Sequence, residues 1–241
     1  MESSLQNTFS DYREALLRLF YPHLCACCEK LLELKEKGLC GPCNTRLASL
    51  QLNLSEQRVR LSLPRFEGGW ALYPYEGPMK EIIHKIKFER RRDLLSLFER
   101  DLAIFLEHHP DLDSYDRVVS IPQDLSRRLE REFNQAELIA STVRRLLNKK
   151  KKGALLHKQR TLVQSLLGRE ARKLNLENAF RIAGREKIKG ESILLVVDVL
   201  TTGATLNEAA RTLKEAGVLH IAFLVLARTS GHPASRFQST N

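Results

Sequence analysis

The stretch that decides the fold is ILLVVDVLTTGATLNEAARTLKEAG, residues 193–217. Six apolar residues, Ile193 to Val197 and Val199, enclose one carboxylate, Asp198. Thr201, Thr202, Gly203, Ala204 and Thr205 follow as a small turn, and an amphipathic helix then runs to Gly217. A buried strand, a hydroxyl-rich loop and a helix N-terminus together form a phosphate cup, because the helix start offers unpaired N–H groups and a positive dipole end. Gly203 lets the main chain approach an anion closely, and the threonine hydroxyls add donors without bulk. Asp198 is placed to accept hydrogen bonds from sugar hydroxyls, which suggests a ribose 5-phosphate group. The alternative is an ordinary strand–turn–helix with threonine capping the helix. A charged residue inside so apolar a run argues against it, since burying a charge needs compensation.

Working outward, strands alternate with helices. Trp70, Leu72 and Tyr75 alternate with smaller residues as a strand expects, and Gly77-Pro78 breaks it. Helices are expected at 78–88, 93–108, 124–131, 135–148 and 169–178, with short strands at 118–121 and 179–182 and a final strand at 220–227. Residues 149–168 are basic and weakly patterned and read as a mobile segment. This order implies an α/β fold with a mostly parallel sheet flanked by helices, whose ligands sit at the carboxyl ends of the strands.

The front of the chain differs. Cys25-Ala26-Cys27-Cys28 and Cys40-Gly41-Pro42-Cys43 are two C-x₂-C pairs with eleven residues between them. Four thiolates, from Cys25, Cys28, Cys40 and Cys43, suit a tetrahedral structural zinc. Cys27 is left over and is read as spare. Lys30, Lys35, Lys37 and Arg46 are near enough in sequence to offset the charge of such a centre. The expected organisation is an N-terminal helix over 1–20, a zinc-ribbon-like module over 21–48, a linker over 49–65, the α/β domain over 66–229 and a disordered polar tail over 230–241.

Composition narrows the class. A hydrophobic content of 43% with 28% charged residues is that of a soluble globular chain, and 241 residues allow one sizeable domain plus a small one. No apolar run approaches the roughly 20 residues that span a bilayer. The N-terminus, MESSLQNTFSDYREALLRLF, is acidic early and lacks an apolar core, so it reads as an amphipathic helix rather than a signal peptide, and a cytoplasmic protein is expected. A net charge of +10 favours polyanionic partners: nucleic acid, acidic lipid or phosphorylated metabolites. The basic residues cluster at Arg90–Arg92, at Arg127, Arg128 and Arg131, and at Lys149–Lys152. Solvated helix ends account for such clusters equally well.

Strand–Asp–x–x–Thr–Thr–Gly–Ala–Thr resembles the signature of type I phosphoribosyltransferases, which bind phosphoribosyl pyrophosphate. Within them the chain resembles the ComF family along nearly its whole length. The resemblance includes LCACC at 24–28, LCGPC at 39–43, Tyr75-Glu76-Gly77, the Ile83…Lys87-Phe88 helix, RRLEREFNQAELIA at 127–140 and Arg160-Thr161 with Gln164. It extends through Arg172 with Asn175 and Ala179-Phe180. It implies a four-cysteine zinc module before a phosphoribosyltransferase-like domain. It also implies a role in uptake of transforming DNA as single strands, with a helicase partner. Thr201 to Thr205 would hold the 5-phosphate, Asp198 the ribose, and Lys87, Arg127, Lys158 and Arg160 the Mg²⁺-bound pyrophosphate, with 154–168 closing as a lid.

The chain departs from the family pattern at three positions. The first of the usual two acids before the loop is Val197, Glu132 stands where glycine is usual, and Gln123 replaces a small apolar residue. A hydrogen bond to a charged group contributes about 1.5–3 kcal/mol, so losing one acid weakens ligand binding about 10- to 100-fold. Asp198 is then the one carboxylate left to steady the cationic sugar of a transfer reaction. His84, His157 and His220 offer no distinct general base, and no N-terminal cysteine nucleophile is present for glutamine hydrolysis. Two readings therefore stand: a phosphoribosyl-binding module for DNA handling, and an active phosphoribosyltransferase on an unidentified acceptor.

Overall fold

The computed structural model describes residues 22–59, 65–122, 133–151, 156–158, 179–182 and 188–229, with side chains except at His157 and Lys158. The expected helices at 1–20, 124–131 and 169–178 and the polar tail lie outside these residues, as do Gln123, Arg127, Glu132, Arg160 and most of the expected lid. The chain forms two compact units, one of Met1–Gln51 with Glu76–Leu97 and one of Leu52–Tyr75 with Phe98–Asn241. The helix expected over 78–88 belongs to the first unit.

In the first unit, residues 22–32 turn back on themselves through an antiparallel bridge between Leu24 and Leu31. Helix α1 (Gly41–Ser49) follows, with Pro42 in its first turn. Pro suits that place because its missing N–H has no intrahelical partner there. The Glu36 carboxylate accepts from Gly41 N at 2.6 Å and from Glu33 N at 2.8 Å, fixing the approach to α1.

The second unit carries a four-stranded parallel sheet. Helix α2 (Leu54–Gln57) is short and closed by a capping box in which Asn53 and Glu56 satisfy each other's backbone N–H groups. Residues 52–59, read from sequence as part of a linker, lie along the edge of β1 (Gly68–Pro74), with Val59 N bonded to Gly69 O at 2.7 Å. Helix α3 (Gly77–Phe88) belongs to the first unit. After it, the single helix expected over 93–108 is divided into a 3-10 turn, Arg92–Phe98, and helix α4 (Glu99–His108). Leu94 and Phe98, at either end of the 3-10 turn, are both buried.

Strand β2 (Arg117–Ser120) precedes helix α5 (Gln135–Leu146). Strands β3 (Leu156–Lys158) and β4 (Phe180–Ile182) pair antiparallel as a separate ribbon. Part of the segment expected to be mobile is therefore ordered as a strand. Strand β5 (Ser192–Leu200), helix α6 (Ala204–Glu215) and strand β6 (His220–Arg228) complete the unit.

The sheet order is β1-β6-β5-β2, all parallel. Residues 193–196 and 221–227 are buried without interruption, as central parallel strands covered on both faces require. Leu206, Ala209, Ala210 and Leu213 of α6 pack with Ile193, Leu195 and Val119 on one face. On the other, Ser120 reaches Glu137 of α5, and Arg144 of α5 bonds Val118 O at 3.2 Å. At the amino ends of β2 and β5, Arg117 and Glu191 form a nearly enclosed ion pair at 2.6 Å, and Ser192 N donates to Asp116. Removing one partner of such a pair costs about 3–5 kcal/mol.

Candidate functional site

The parallel register brings the carboxyl ends of β1, β6, β5 and β2 to one edge, and β5 leads there directly into the threonine loop. Thr229 N holds Leu200 O at 3.0 Å and Ile121 N holds Val196 O at 3.1 Å, so the end of β5 is braced on both sides. Asp198 is half-buried near this end, and its carboxylate accepts from Val199 N at 2.8 Å. Strand alternation sends Val197 to the opposite face, where it packs against the core cluster of α6.

The loop between β5 and α6 turns at Gly203. Thr201 and Thr202 are exposed, and Gly203 is buried with φ +74°, in the left-handed region where a Cβ is costly. Gly203 is the N-cap residue of α6, and its carbonyl accepts the first helical bond from Asn207 N at 2.8 Å. The N–H groups of Ala204, Thr205 and Leu206 precede that bond and so lie at the positive end of a twelve-residue helix. Ala204 N makes a long contact of 3.4 Å to Thr202 Oγ1, a weak claim on that donor.

Of the site residues expected from sequence, Asp198 and Thr201 to Thr205 come together on one strand–loop–helix. Lys87 lies half-buried on α3 in the other compact unit. Arg127 and Arg160 lie outside the described residues, and Lys158 is described only by its backbone in β3.

Sequence reading missed two further features of the second unit. Arg65 Nη1 donates to Asn207 Oδ1 at 2.9 Å on the first turn of α6, a contact across 142 positions that leaves no local signal. Asn134 caps α5 by accepting from Ala136 N and donates to Ile121 O at 3.1 Å, so it draws the start of α5 to the end of β2. The FNQ stretch carried that signal, as an N-cap before an apolar helix. The basic run at 149–152 is partly structural: Lys149 pairs with Asp113 at 2.9 Å and Lys151 with Glu191 at 2.8 Å.

The sulfurs of Cys25, Cys28, Cys40 and Cys43 lie within 4.8 Å of one another and could hold a metal ion. Cys25 and Cys28 sit on the 22–32 turn, and Cys40 and Cys43 on the start of α1. Burial alone would raise the Cys25 thiol, but backbone N–H groups of Cys40, Cys28 and Cys27 around its sulfur bring it down to about 6. Burial, then the charge of Cys25 and Cys28, pushes Cys27 up to about 11. Its S–H points to Pro78 O at 3.7 Å. Cys27 is half-buried and is not one of the four clustered sulfurs.

A parallel sheet whose carboxyl edge carries an acid, a left-handed glycine and a helix N-terminus defines a protein of the type I phosphoribosyltransferase-like class. Residues 131–239 match the phosphoribosyl transferase domain family. The DNA utilization protein YhgH of Escherichia coli K12 is 30% identical over 227 residues, covering 88% of this chain and 99% of that protein. Competence protein F of Haemophilus influenzae is 27% identical, covering 87% and 98%. Competence protein ComFC of Bacillus subtilis is 29% identical, covering 74% and 71%. A solved hypoxanthine phosphoribosyltransferase from Staphylococcus aureus shares 13% identity, over 59% of this chain and 69% of its own, with a TM-score of 0.36. The chain belongs to the ComF family of phosphoribosyltransferase-like proteins. Among the described residues no helix is long and apolar enough to cross a membrane.

Proposed function

We propose that this protein binds phosphoribosyl pyrophosphate, or a related ribose 5-phosphate, and serves competence-associated uptake of single-stranded DNA in the cytoplasm. The observation that supports the ligand half is the β5–loop–α6 unit, in which Asp198 near the end of β5 is followed by the left-handed Gly203 and the N-terminus of α6. The DNA half is supported by the names of the relatives, a DNA utilization protein and two competence proteins. A competence helicase is the protein partner this reading implies. Arg127 and Arg160 are the cations proposed to meet the Mg²⁺-bound pyrophosphate. The metal proposed for Cys25, Cys28, Cys40 and Cys43 is zinc, since four thiolates in a tetrahedron suit it and leave no open position for catalysis.

Titration calorimetry with phosphoribosyl pyrophosphate and Mg²⁺ tests the ligand. Asp198→Asn keeps the shape of the acid and removes its charge, at a cost of about 1.5–3 kcal/mol if a ribose hydroxyl bonds there. Binding should therefore weaken at least about 10-fold. Absence of binding to the unaltered protein sinks the assignment. The second reading, transfer of the phosphoribosyl group to an unidentified acceptor with no DNA role, is favoured by the family match over 131–239. It requires release of pyrophosphate that depends on an added acceptor. Val197, packed on the core where the family carries an acid, weighs toward binding without turnover.

A further inference from the structure

Helix α3 buries Met79, Ile82, Ile83 and Ile86 on one side. On the other it presents His84 and Phe88, four residues apart, with ring centroids 4.7 Å from each other and planes tilted by 38°. Phe88 is 62% exposed, and His84 is exposed beside it. A single exposed apolar side chain needs no explanation, but a close aromatic pair on a helix with a net positive charge does.

Residues 77–93 hold six basic side chains and three acids, so their net formal charge is +3. Two of the acids are engaged locally: Glu89 with Lys85 at 3.4 Å and Asp93 with Arg91 at 2.7 Å. Glu81 is the third. Lys80 is exposed at one end of the stripe, and at 1.5 Å per residue it lies about 12 Å along the axis from Phe88. At the other end Arg90 takes φ +59°, where glycine is usual, so a cation occupies a position that costs a side chain about 1–2 kcal/mol.

We propose that the His84–Phe88 face of α3 is a base-stacking platform for single-stranded DNA, with Lys80 and the Arg90–Arg92 turn meeting the phosphates. The inference rests on the DNA half of the proposed function and supplies its contact surface. An unpaired base has a free π face for Phe88, whereas a duplex hides that face inside its stack. Stacking is indifferent to base identity, so binding should be weakly sequence-specific, while the cations make it salt-dependent.

Fluorescence anisotropy with a labelled thymidine oligonucleotide tests the platform on the full chain. Phe88→Ala should weaken binding about 10-fold or more. Phe88→Leu, which keeps an apolar side chain without a π face, should be equally weak, and Phe88→Trp should restore binding. The oligonucleotide should bind more tightly than a duplex of the same sequence. Each variant should keep its melting temperature and its affinity for phosphoribosyl pyrophosphate, and Asp198→Asn should keep its affinity for DNA. Equal affinity of Phe88→Ala and the unaltered protein overturns the platform, as does tighter binding of duplex. Loss of DNA binding in Asp198→Asn alone would place the DNA at the sugar-phosphate loop instead. A protein that binds phosphoribosyl pyrophosphate but no oligonucleotide at low salt refutes the platform and leaves the ligand assignment standing.

Discussion

Replacing Gly203 by alanine separates backbone strain from ligand contact, because the same unit contains a matched control. Gly203 has φ +74° and Gly190 has φ +86°. Gly203 opens α6 at the carboxyl end of β5, whereas Gly190 precedes the amino end of β5, held by a 2.9 Å bond to Gly217 O. A Cβ on Gly190 would meet nothing within 4 Å, so its cost is conformational alone. An L-residue in the left-handed region loses about 1–2 kcal/mol. In a domain of this size each kcal/mol moves the melting temperature by about 2–4 °C. Both Gly203→Ala and Gly190→Ala should therefore melt about 2–8 °C lower than the parent.

Their ligand affinities should diverge. At Gly203 the strained loop no longer presents its N–H groups to the 5-phosphate, and each lost charge-assisted bond weakens binding by about 1.5–3 kcal/mol. Calorimetry should show Gly203→Ala about 10- to 100-fold weaker for phosphoribosyl pyrophosphate, with Gly190→Ala unchanged. Equal affinities in the two variants at comparable melting temperatures would refute the reasoning, because the loop would then not be the anion cup.

Two other perturbations bear on the first and second units. If the four sulfurs hold a structural ion, chelation should lower the melting temperature of the N-terminal unit, since metal binding supplies folding energy to so small a core. Cys40→Ser should lose the metal, while Cys27→Ser should retain one ion per chain by elemental analysis, because Cys27 faces Pro78 O instead. His109 lies between Trp70 and Phe105, with Nε2 buried and, among the described residues, without a hydrogen-bond partner. Burial, reinforced by His108 and Arg58 against the opposing pull of Asp111, lowers its pKa below the ordinary 6.5. The neutral ring is therefore favoured in the folded chain. Its contribution to stability is complete above about pH 6.5 and is lost as pH falls through the lowered value. His109→Phe should flatten that acid limb in melts taken across it, and an unchanged limb would show that His109 does not titrate there.

Much of the site was legible because its signals are local. The apolar run 193–197, the break at Gly203 and the amphipathic turn to Gly217 lie within one strand–loop–helix, and the structure reproduces them as β5 and α6. The two C-x₂-C pairs declared a four-sulfur cluster through spacing alone. The 3-10 turn at Arg92–Phe98 was not legible, because its apolar residues also fit the three- and four-residue spacing of an α-helix. The order in 156–158 was hidden too, since a three-residue strand has too few positions to show a period and acquires its identity only by pairing with Phe180–Ile182.

The amino-acid sequence by itself determined the α/β class, the strand–loop–helix with its single acid, and which cysteines group together. These depend on neighbours within a turn or two, where backbone geometry follows directly from residue type. Only the tertiary structure decided the order β1-β6-β5-β2, the grouping of residues 76–97 with the N-terminal unit, and the contact of Cys27 with Pro78 O. It alone placed Arg65 on Asn207 and left Phe88 turned to solvent while its helix buries the opposite face. Those outcomes rest on hydrogen bonds and burial between residues far apart in the chain. Which distant surfaces bury each other is a property of the whole packed chain, and no local pattern of side chains encodes it.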